Sequence, residues 1–431
     1  MKDIIYPDVN YYFINDNFKL IYIKTNSNIF SANITINIGS VNENQEDQEL
    51  GLAHFFEHMI FKSKKNLQKI DFLGTRYNAS TSYNKTNYYI DGNNKDYKDI
   101  INILLDLFLK PEFPDEDIKN EINVVLEEFK MNQDNKHKET FLKLMHLLYK
   151  DIDIKYSLPV IGTPDNIINF NRQNLINFYN KHYLTANKIL SISSSINKDD
   201  IIQIISKIFN VQIKPWKPKF IKLNNKLEIP YYNKFNNQLT LIKNPELKQF
   251  IVKIAFRSIN MYSKWLIVSE LLENILTGGM TSRLFVLLRN KLGLTYYQNT
   301  SSLEFKEHGF FSITYGVQPD GLEISLKNVL LELLNFKSCT EEELQKTKNI
   351  YETSLLFNFE TSTDIGNYII NSVIDNLNPN YLKYIYKLLN NISINEINNF
   401  AKKIFKKSNM FIIINGNNIN YDDINKMINC I

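Results

Sequence analysis

The chain has 431 residues and a formal net charge of +4, with 50 Lys and Arg against 46 Asp and Glu. This length exceeds what one ordinary hydrophobic core accommodates, so we expect at least two domains. The opposite charges are too evenly balanced to indicate a nucleic-acid-binding protein.

The first residues, Met1 to Pro7, lack the basic and apolar regions of a secretory signal. Elsewhere, no apolar run reaches the length of a membrane span. The two cysteines, Cys339 and Cys430, form neither a disulfide framework nor a metal-binding pair. These features predict a soluble, intracellular, cytoplasmic protein that has no membrane or nucleic-acid partner.

Two strands are predicted first, over Phe18–Thr25 and Ser31–Ile38, because both segments are rich in β-branched and aromatic residues. A polar loop, Gly39–Gln48, follows them and leads into the most informative segment of the chain.

That segment, Gly51–Phe61, predicts a buried helix that carries a metal site. It is apolar almost all round, yet it contains His54, Glu57 and His58, which are costly to bury without partners. His54 and His58 are four residues apart, so one helix face presents both imidazoles to a single ion. Glu57 lies beside them, which completes the inverted zinc-peptidase pattern His-x-x-Glu-His. A core helix with satisfied histidines is the alternative, and three matched positions favour zinc over it.

A β-hairpin is predicted next, with strands Tyr77–Ser82 and Thr86–Asp91 and a turn at Asn84-Lys85. The small and polar residues of its first strand are typical of the edge of a sheet. Such an edge is usually only solvated, but it can also bind an extended peptide as an added strand. The strand pattern alone leaves both interpretations open.

A long helix, Ile118 to about Gln133, carries the candidates for a third metal ligand. Glu121 and Glu128 are seven residues apart and share a face, whereas Glu127 is rotated by about 100°. Most glutamates on helices are simply solvated. Only the need of a zinc site for a third ligand favours Glu128.

The polar and weakly patterned stretch from Val211 to Asn237 is the best domain boundary. It divides the chain into a metal-binding domain 1–212, a linker 213–237 and a second domain 238–431. The second half repeats the first in outline. This repetition predicts an α+β fold of two similar α/β sandwiches, each with a mostly antiparallel sheet packed against helices.

Three elements of the second half are predicted in detail: a helix that begins at Gly278-Gly279, a strand over Leu294–Ser302 and one long helix over Glu341–Ile374. The counterpart of the metal helix reads Ser-Glu-Leu-Leu-Glu over residues 269–273 and has no His-x-x-Glu-His. We therefore expect one metal ion per chain.

From about residue 15 to 418, the chain resembles the M16 (pitrilysin and insulinase) family of zinc peptidases. Within that family it is similar to the shorter two-domain subfamily that includes mitochondrial processing peptidase. The resemblance implies that His54 and His58 are zinc ligands, that Glu57 is the catalytic base and that Glu128, within Asn120–Met131, is the third ligand. Glu121 matches an acidic position close to the ligands. The 70 residues from His58 to Glu128 are fewer than is usual for the family.

The resemblance also assigns the substrate contacts. Asn78 and Ala79 match the edge strand that binds substrate, and Arg289 and Tyr296 match an Arg and a Tyr that contact the scissile peptide group. The alternative interpretation of Arg289 is an ordinary residue on a helix surface. In the larger family members, Arg289 and Tyr296 match residues that lie in the half of the molecule opposite the zinc. A chain of 431 residues corresponds to only one half of such a molecule. A homodimer around a closed chamber is therefore implied, or a heterodimer with a related subunit.

The function implied by the resemblance is that of a zinc-dependent endopeptidase with one Zn²⁺ per chain. Glu57 would activate a zinc-bound water that hydrolyses peptides or unfolded protein segments. One alternative is a catalytically silent peptide-binding or scaffold subunit of the same fold, against which the complete set of motif residues argues. Another is zinc-dependent hydrolysis of a small non-peptide substrate, in which the edge strand and the second domain would have no role.

Overall fold

The computed structural model describes residues 7–44, 49–230 and 238–431. Residues 1–6, the end of the predicted polar loop (45–48) and part of the predicted linker (231–237) lie outside the described residues. The strands are β1 Val9–Asn15, β2 Phe18–Lys24, β3 Ile29–Ile36, β4 Arg76–Thr81, β5 Thr86–Asn93, β6 Lys188–Ser194, β7 Lys214–Pro215, β8 Gln238–Lys243, β9 Phe250–Ser258, β10 Gln298–Glu304, β11 Gly309–Val317 and β12 Met410–Gly416. The α-helices are α1 Leu52–Ile60, α2 Lys64–Phe72, α3 Tyr97–Leu109, α4 Asp115–Asp134, α5 Lys136–Tyr149, α6 Pro164–Ile167, α7 Arg172–Phe178, α8 Lys198–Phe209, α9 Leu266–Thr277, α10 Arg283–Phe285, α11 Leu322–Leu334, α12 Glu341–Asn358, α13 Ser362–Ile374, α14 Ile385–Asn391, α15 Ile394–Ile404 and α16 Tyr421–Cys430.

The strands form two sheets that share a five-stranded topology, to which the first sheet adds β1 and β7. The seven-stranded sheet has the order β4-β5-β3-β6-β2-β1-β7, and the five-stranded sheet has the order β10-β11-β9-β12-β8. In each sheet one pair is parallel, β2 with β6 and β8 with β12, and the other pairs are antiparallel. The predicted fold class, two similar domains with mostly antiparallel sheets and packed helices, is confirmed.

The chain divides into two compact units that exchange segments. The first unit comprises the described parts of Met1–Asn132, Leu158–Ile221 and Leu356–Lys383, and the second comprises those of Gln133–Ser157, Lys222–Leu355 and Tyr384–Ile431. The predicted boundaries 1–212 and 238–431 differ from this division, because α5 belongs to the second unit and α13 to the first.

In the first unit, helices cover both faces of the sheet. On β2, Phe18 and Leu20 point into the main core with α1 and α3, whereas Ile21 points to the opposite face. There it packs with Ile369 and Val373 of α13. This arrangement follows from the alternation of side chains along a strand. It leaves α1 buried beneath the apolar face of the sheet.

The predicted helix over Glu341–Ile374 was wrong, because the structure breaks it into α12 and α13. Thr361 begins the second helix: its side chain accepts a hydrogen bond from the backbone N–H of Asp364, whose carboxylate accepts one from the N–H of Thr361. This reciprocal capping box stabilises a new helix start within a long amphipathic pattern.

Two further predicted starts were wrong by several residues. The helix expected from Gly278 begins at Arg283, after Ser282, and continues as a π-helix over Val286–Lys291. The strand expected from Leu294 begins at Gln298. Among the described residues, no helix is both long enough and apolar enough to cross a membrane.

Candidate metal centre

The N-terminus of α1 is fixed by a close backbone contact and a buried carboxylate. Gly51 and Gly162 both have positive φ, and a Cβ on Gly51 would lie 2.5 Å from the carbonyl oxygen of Ile161. Glu43 is buried and accepts hydrogen bonds from the backbone N–H groups of Gly51 (2.9 Å) and Ala53 (2.8 Å). These groups are the unpaired donors at the start of a helix, and they favour an anion there. Burial nevertheless raises the pKa of the Glu43 carboxyl to about 8.

Packing of the apolar residues of α1 against the core determines which way its polar residues point. Phe56 packs on Tyr183 with ring centroids 4.3 Å apart, and Phe55 packs on Phe170 at 5.2 Å. Six of the nine helix residues are buried, whereas His54, Glu57 and His58 are only partly buried. The three ionisable residues therefore share the one accessible face of the helix.

His54, His58 and Glu128 come together on that face. The Oε2 atom of Glu128 lies 3.6 Å from Nε2 of His54 and 3.5 Å from Nε2 of His58. Among the residues that the structure describes, these three form the one group of three or more His, Cys, Asp or Glu with potential ligand atoms all within 4.8 Å of one another. Two imidazole nitrogens and one carboxylate oxygen are the donor set of a catalytic zinc site with an open coordination position. The residues therefore fit a zinc ion.

Glu121 orients His58. Its Oε1 atom lies 2.8 Å from Nδ1 of His58, and Lys62 forms an ion pair with its other oxygen. Burial raises the pKa of Glu121, but the bonds to His58 and Lys62 outweigh this effect and lower it. An ionised Glu121 accepts a hydrogen bond from Nδ1–H of His58, which leaves Nε2 as the nitrogen that can bind a metal.

The carboxylates of Glu121 and Glu128 raise the proton affinity of His58. Burial lowers its pKa, but hydrogen bonds to Glu121 and Glu128 raise it to about 9. A metal ion at Nε2 competes with this proton, because only the neutral imidazole is a ligand.

Glu57 lies on the same face of α1 and accepts a hydrogen bond from a residue of β4. The hydroxyl of Thr81 donates a hydrogen bond of 2.7 Å to its Oε2 atom. Burial raises the pKa of the Glu57 carboxyl, and the bond from Thr81 partly offsets the rise. A carboxylate with a raised pKa is suited to accept a proton near neutral pH.

The predicted hairpin is confirmed, and its first strand, β4, is the terminal strand of the first sheet. Asn78 is exposed and Ala79 is partly buried, and the Asn78 side chain accepts a hydrogen bond of 2.9 Å from the backbone N–H of Ala79. On the side away from β5, no described strand pairs with β4. Asn78 and Ala79 thus lie on a free edge, and the bond from Thr81 joins that edge to Glu57.

Arg289 and Tyr296 lie together in the second unit. The Arg289 guanidinium is 5.2 Å from the centroid of the Tyr296 ring and 5.1 Å from that of Phe285. Both predicted residues are exposed. The strand predicted over Leu294–Ser302 included Tyr296, but Tyr296 lies in the loop before β10.

Thr81, Lys62 and Glu43 are absent from the residues predicted above. Lys62 lies four residues after His58 and two beyond the end of α1, and this closeness in sequence could have indicated it. Glu43 is one of four acidic residues between β3 and α1, and nothing in the sequence distinguishes it from the other three. Thr81 had no sequence signal, because its contact with Glu57 joins a strand to a helix.

Two family models cover most of the chain. Residues 19–159 match the insulinase family of peptidases, family M16, and residues 169–351 match the M16 inactive domain. The chain belongs to the M16 peptidase family. The His-x-x-Glu-His helix and Glu128 lie in the first matched region, and Arg289 and Tyr296 lie in the second.

Similar proteins cover nearly the whole chain. A Rickettsia felis protein named as an uncharacterized zinc protease is 28% identical over 407 residues, which are 90% of this chain and 93% of the relative. A Bacillus subtilis protein with a similar name is 25% identical over 403 residues, 91% of this chain and 95% of the relative. The crystal structure of a protease from Helicobacter pylori superposes with a TM-score of 0.82 at 18% identity, covering 95% of this chain and 99% of that chain. At 18% identity, the similarity to the Helicobacter pylori structure shows a shared fold.

Proposed function

We propose that this M16 family member is a zinc-dependent endopeptidase that hydrolyses peptides or unfolded protein segments. One observation carries the proposal: the side chains of His54, His58 and Glu128 converge, and Glu57 is bound beside them at the free edge of β4. The names of the relatives as zinc proteases support it at the level of the family.

His54, His58 and Glu128 would hold one zinc ion per chain. When bound, zinc supplies a Lewis acid that polarises the scissile carbonyl and acidifies water. Glu57 takes a proton from the attacking water and passes it to the departing amine. The free edge at Asn78 and Ala79 binds the peptide as an added strand, which aligns its carbonyl with the water.

A quenched fluorescent peptide tests this function. The zinc-loaded chain should cleave an unstructured peptide, lose that activity when a chelator removes the metal and regain it when zinc is added back. Mass spectrometry of the products distinguishes internal cleavage from removal of terminal residues. A chain that binds zinc and peptide without cleaving the peptide would contradict the proposal and favour the catalytically silent alternative. The match of residues 169–351 to the M16 inactive domain is the observation that favours this alternative.

We further propose that two copies of the chain form the working enzyme, with Arg289 and Tyr296 of one copy completing the metal centre of the other. Their joint exposure in the second unit supports this arrangement, because two stacked polar side chains are free to donate hydrogen bonds to a developing oxyanion.

Mixing inactive variants tests the dimer. Glu57→Gln and Arg289→Ala should each be nearly inactive alone. A co-refolded equal mixture should regain about a quarter of wild-type activity, because half of the dimers are mixed and each mixed dimer has one intact site. Lys291→Ala, which removes an exposed positive charge from the same helix, is the control and should keep its activity. No recovery in mixtures shown to contain heterodimers would contradict the shared site.

A further inference from the structure

The hydroxyl of Thr81, on the free strand edge, donates a hydrogen bond to Glu57, the proposed general base. This hydroxyl lies 2.7 Å from Oε2 of Glu57 and 3.5 Å from the hydroxyl of Thr86. The hydroxyl of Thr86 donates its own hydrogen bond to the carbonyl oxygen of Ile38, at 2.9 Å. A hydroxyl has a single proton to donate, and a nearby carboxylate is the stronger acceptor. The proton of Thr81 is therefore directed to Glu57.

The backbone of Thr81 also faces the free edge. In the hairpin turn, the N–H of Ser82 donates to the carbonyl oxygen of Lys85 at 2.9 Å. Residues along an antiparallel strand alternate between facing the partner and facing away. The backbone groups of Thr81 and Ala79 consequently point away from β5.

We propose that Thr81 is a positioning residue for the reaction. It holds Oε2 of Glu57, so that Oε1 is the oxygen that accepts the proton from water. Without this bond the carboxylate rotates about its terminal torsion, which has a broad energy profile, and the proton acceptor is no longer aligned. This inference rests on the proposed peptidase function. It adds that one residue of the substrate-binding strand aligns the catalytic base.

Two substitutions of Thr81 and one control substitution separate this role from a structural one. Thr81→Val keeps the β-branched shape and removes the hydroxyl, and it should lower kcat by about 30-fold with KM changed less than about twofold. Thr81→Ser restores the hydroxyl and should keep kcat within about threefold of wild type. Thr185→Val removes a threonine hydroxyl whose only described bonds are to carbonyl oxygens of its own turn, and it should change neither constant.

A double variant gives a second test. If Thr81 acts through Glu57, Thr81→Val should cause no further loss of kcat in a Glu57→Gln background, and binding of an uncleaved peptide to that background should be unchanged. Weaker peptide binding or a raised KM with an unchanged kcat would show that Thr81 only supports the strand, and would overturn the proposal. If the valine variant does not fold, the comparison of Thr81→Ala with Thr81→Ser decides in the same way.

Crystal structures give a readout that is independent of cleavage. The Glu57 carboxylate should have one orientation in the wild type and in Thr81→Ser, and more than one in Thr81→Val. A single unchanged orientation in all three would contradict the positioning role, even if the wild-type chain cleaves peptides. Conversely, an inactive wild type together with the expected change in orientation in Thr81→Val would contradict the proposed function but support the positioning of Glu57 by Thr81.

Discussion

Replacing Glu57 by glutamine is expected to lower kcat about a thousandfold while zinc stays bound. The amide has the size of the carboxylate, and its oxygen can still accept the bond that Thr81 donates to Oε2 at 2.7 Å. It cannot take a proton from water, so the step that generates the nucleophile is lost. Glu57 is not among the grouped ligand atoms, which is why the metal content should not change.

The measurement is kcat on an unstructured peptide together with zinc content per chain. Glu127→Gln is the matched control, because Glu127 is exposed, pairs with Lys130 at 2.6 Å and lies outside the metal group. A Glu57→Gln protein that contains about one zinc per chain and cleaves at the wild-type rate would rule out the assignment of the base.

The helix that carries His54, Glu57 and His58 could be predicted from sequence because its evidence is local. Three ionisable residues within an apolar helix are unstable without a shared partner, and the four-residue spacing of His54 and His58 fixes a common face. The two similar sheets were also predictable, since strand and helix patterns recur in order. The contact of Glu128 with the histidines required the structure, because 70 residues separate it from His58.

The other features depend on contacts that no local pattern encodes. The bond from Thr81 joins residues 24 apart in the chain, and the swap of α5 and α13 between the units depends on packing against distant strands. The break before α13 did have a local signal, since Thr361 and Asp364 form a capping box. The long amphipathic pattern around it obscured that signal. Tertiary contacts therefore decide what periodicity leaves open.

Zinc affinity should distinguish Glu128 from its neighbour Glu127 when each is replaced by glutamine. Both changes remove one negative charge from α4 and keep the side-chain volume. Glu128 points to His54 and His58, with its Oε2 atom 3.6 Å and 3.5 Å from their Nε2 atoms, whereas Glu127 pairs with the exposed Lys130. A neutral amide is a much weaker zinc ligand than a carboxylate.

Glu128→Gln is therefore expected to raise the Kd for zinc more than about 100-fold, and Glu127→Gln to leave it within about twofold. Competition with a chromophoric chelator measures both values. The thermal unfolding of the two metal-free variants shows whether either change affects folding instead. Two neighbouring residues on one helix differ by about 100° in direction, so their separate effects test which face of α4 is turned to the metal. Loss of zinc in Glu127→Gln alone would mean that the helix presents the other glutamate to the histidines.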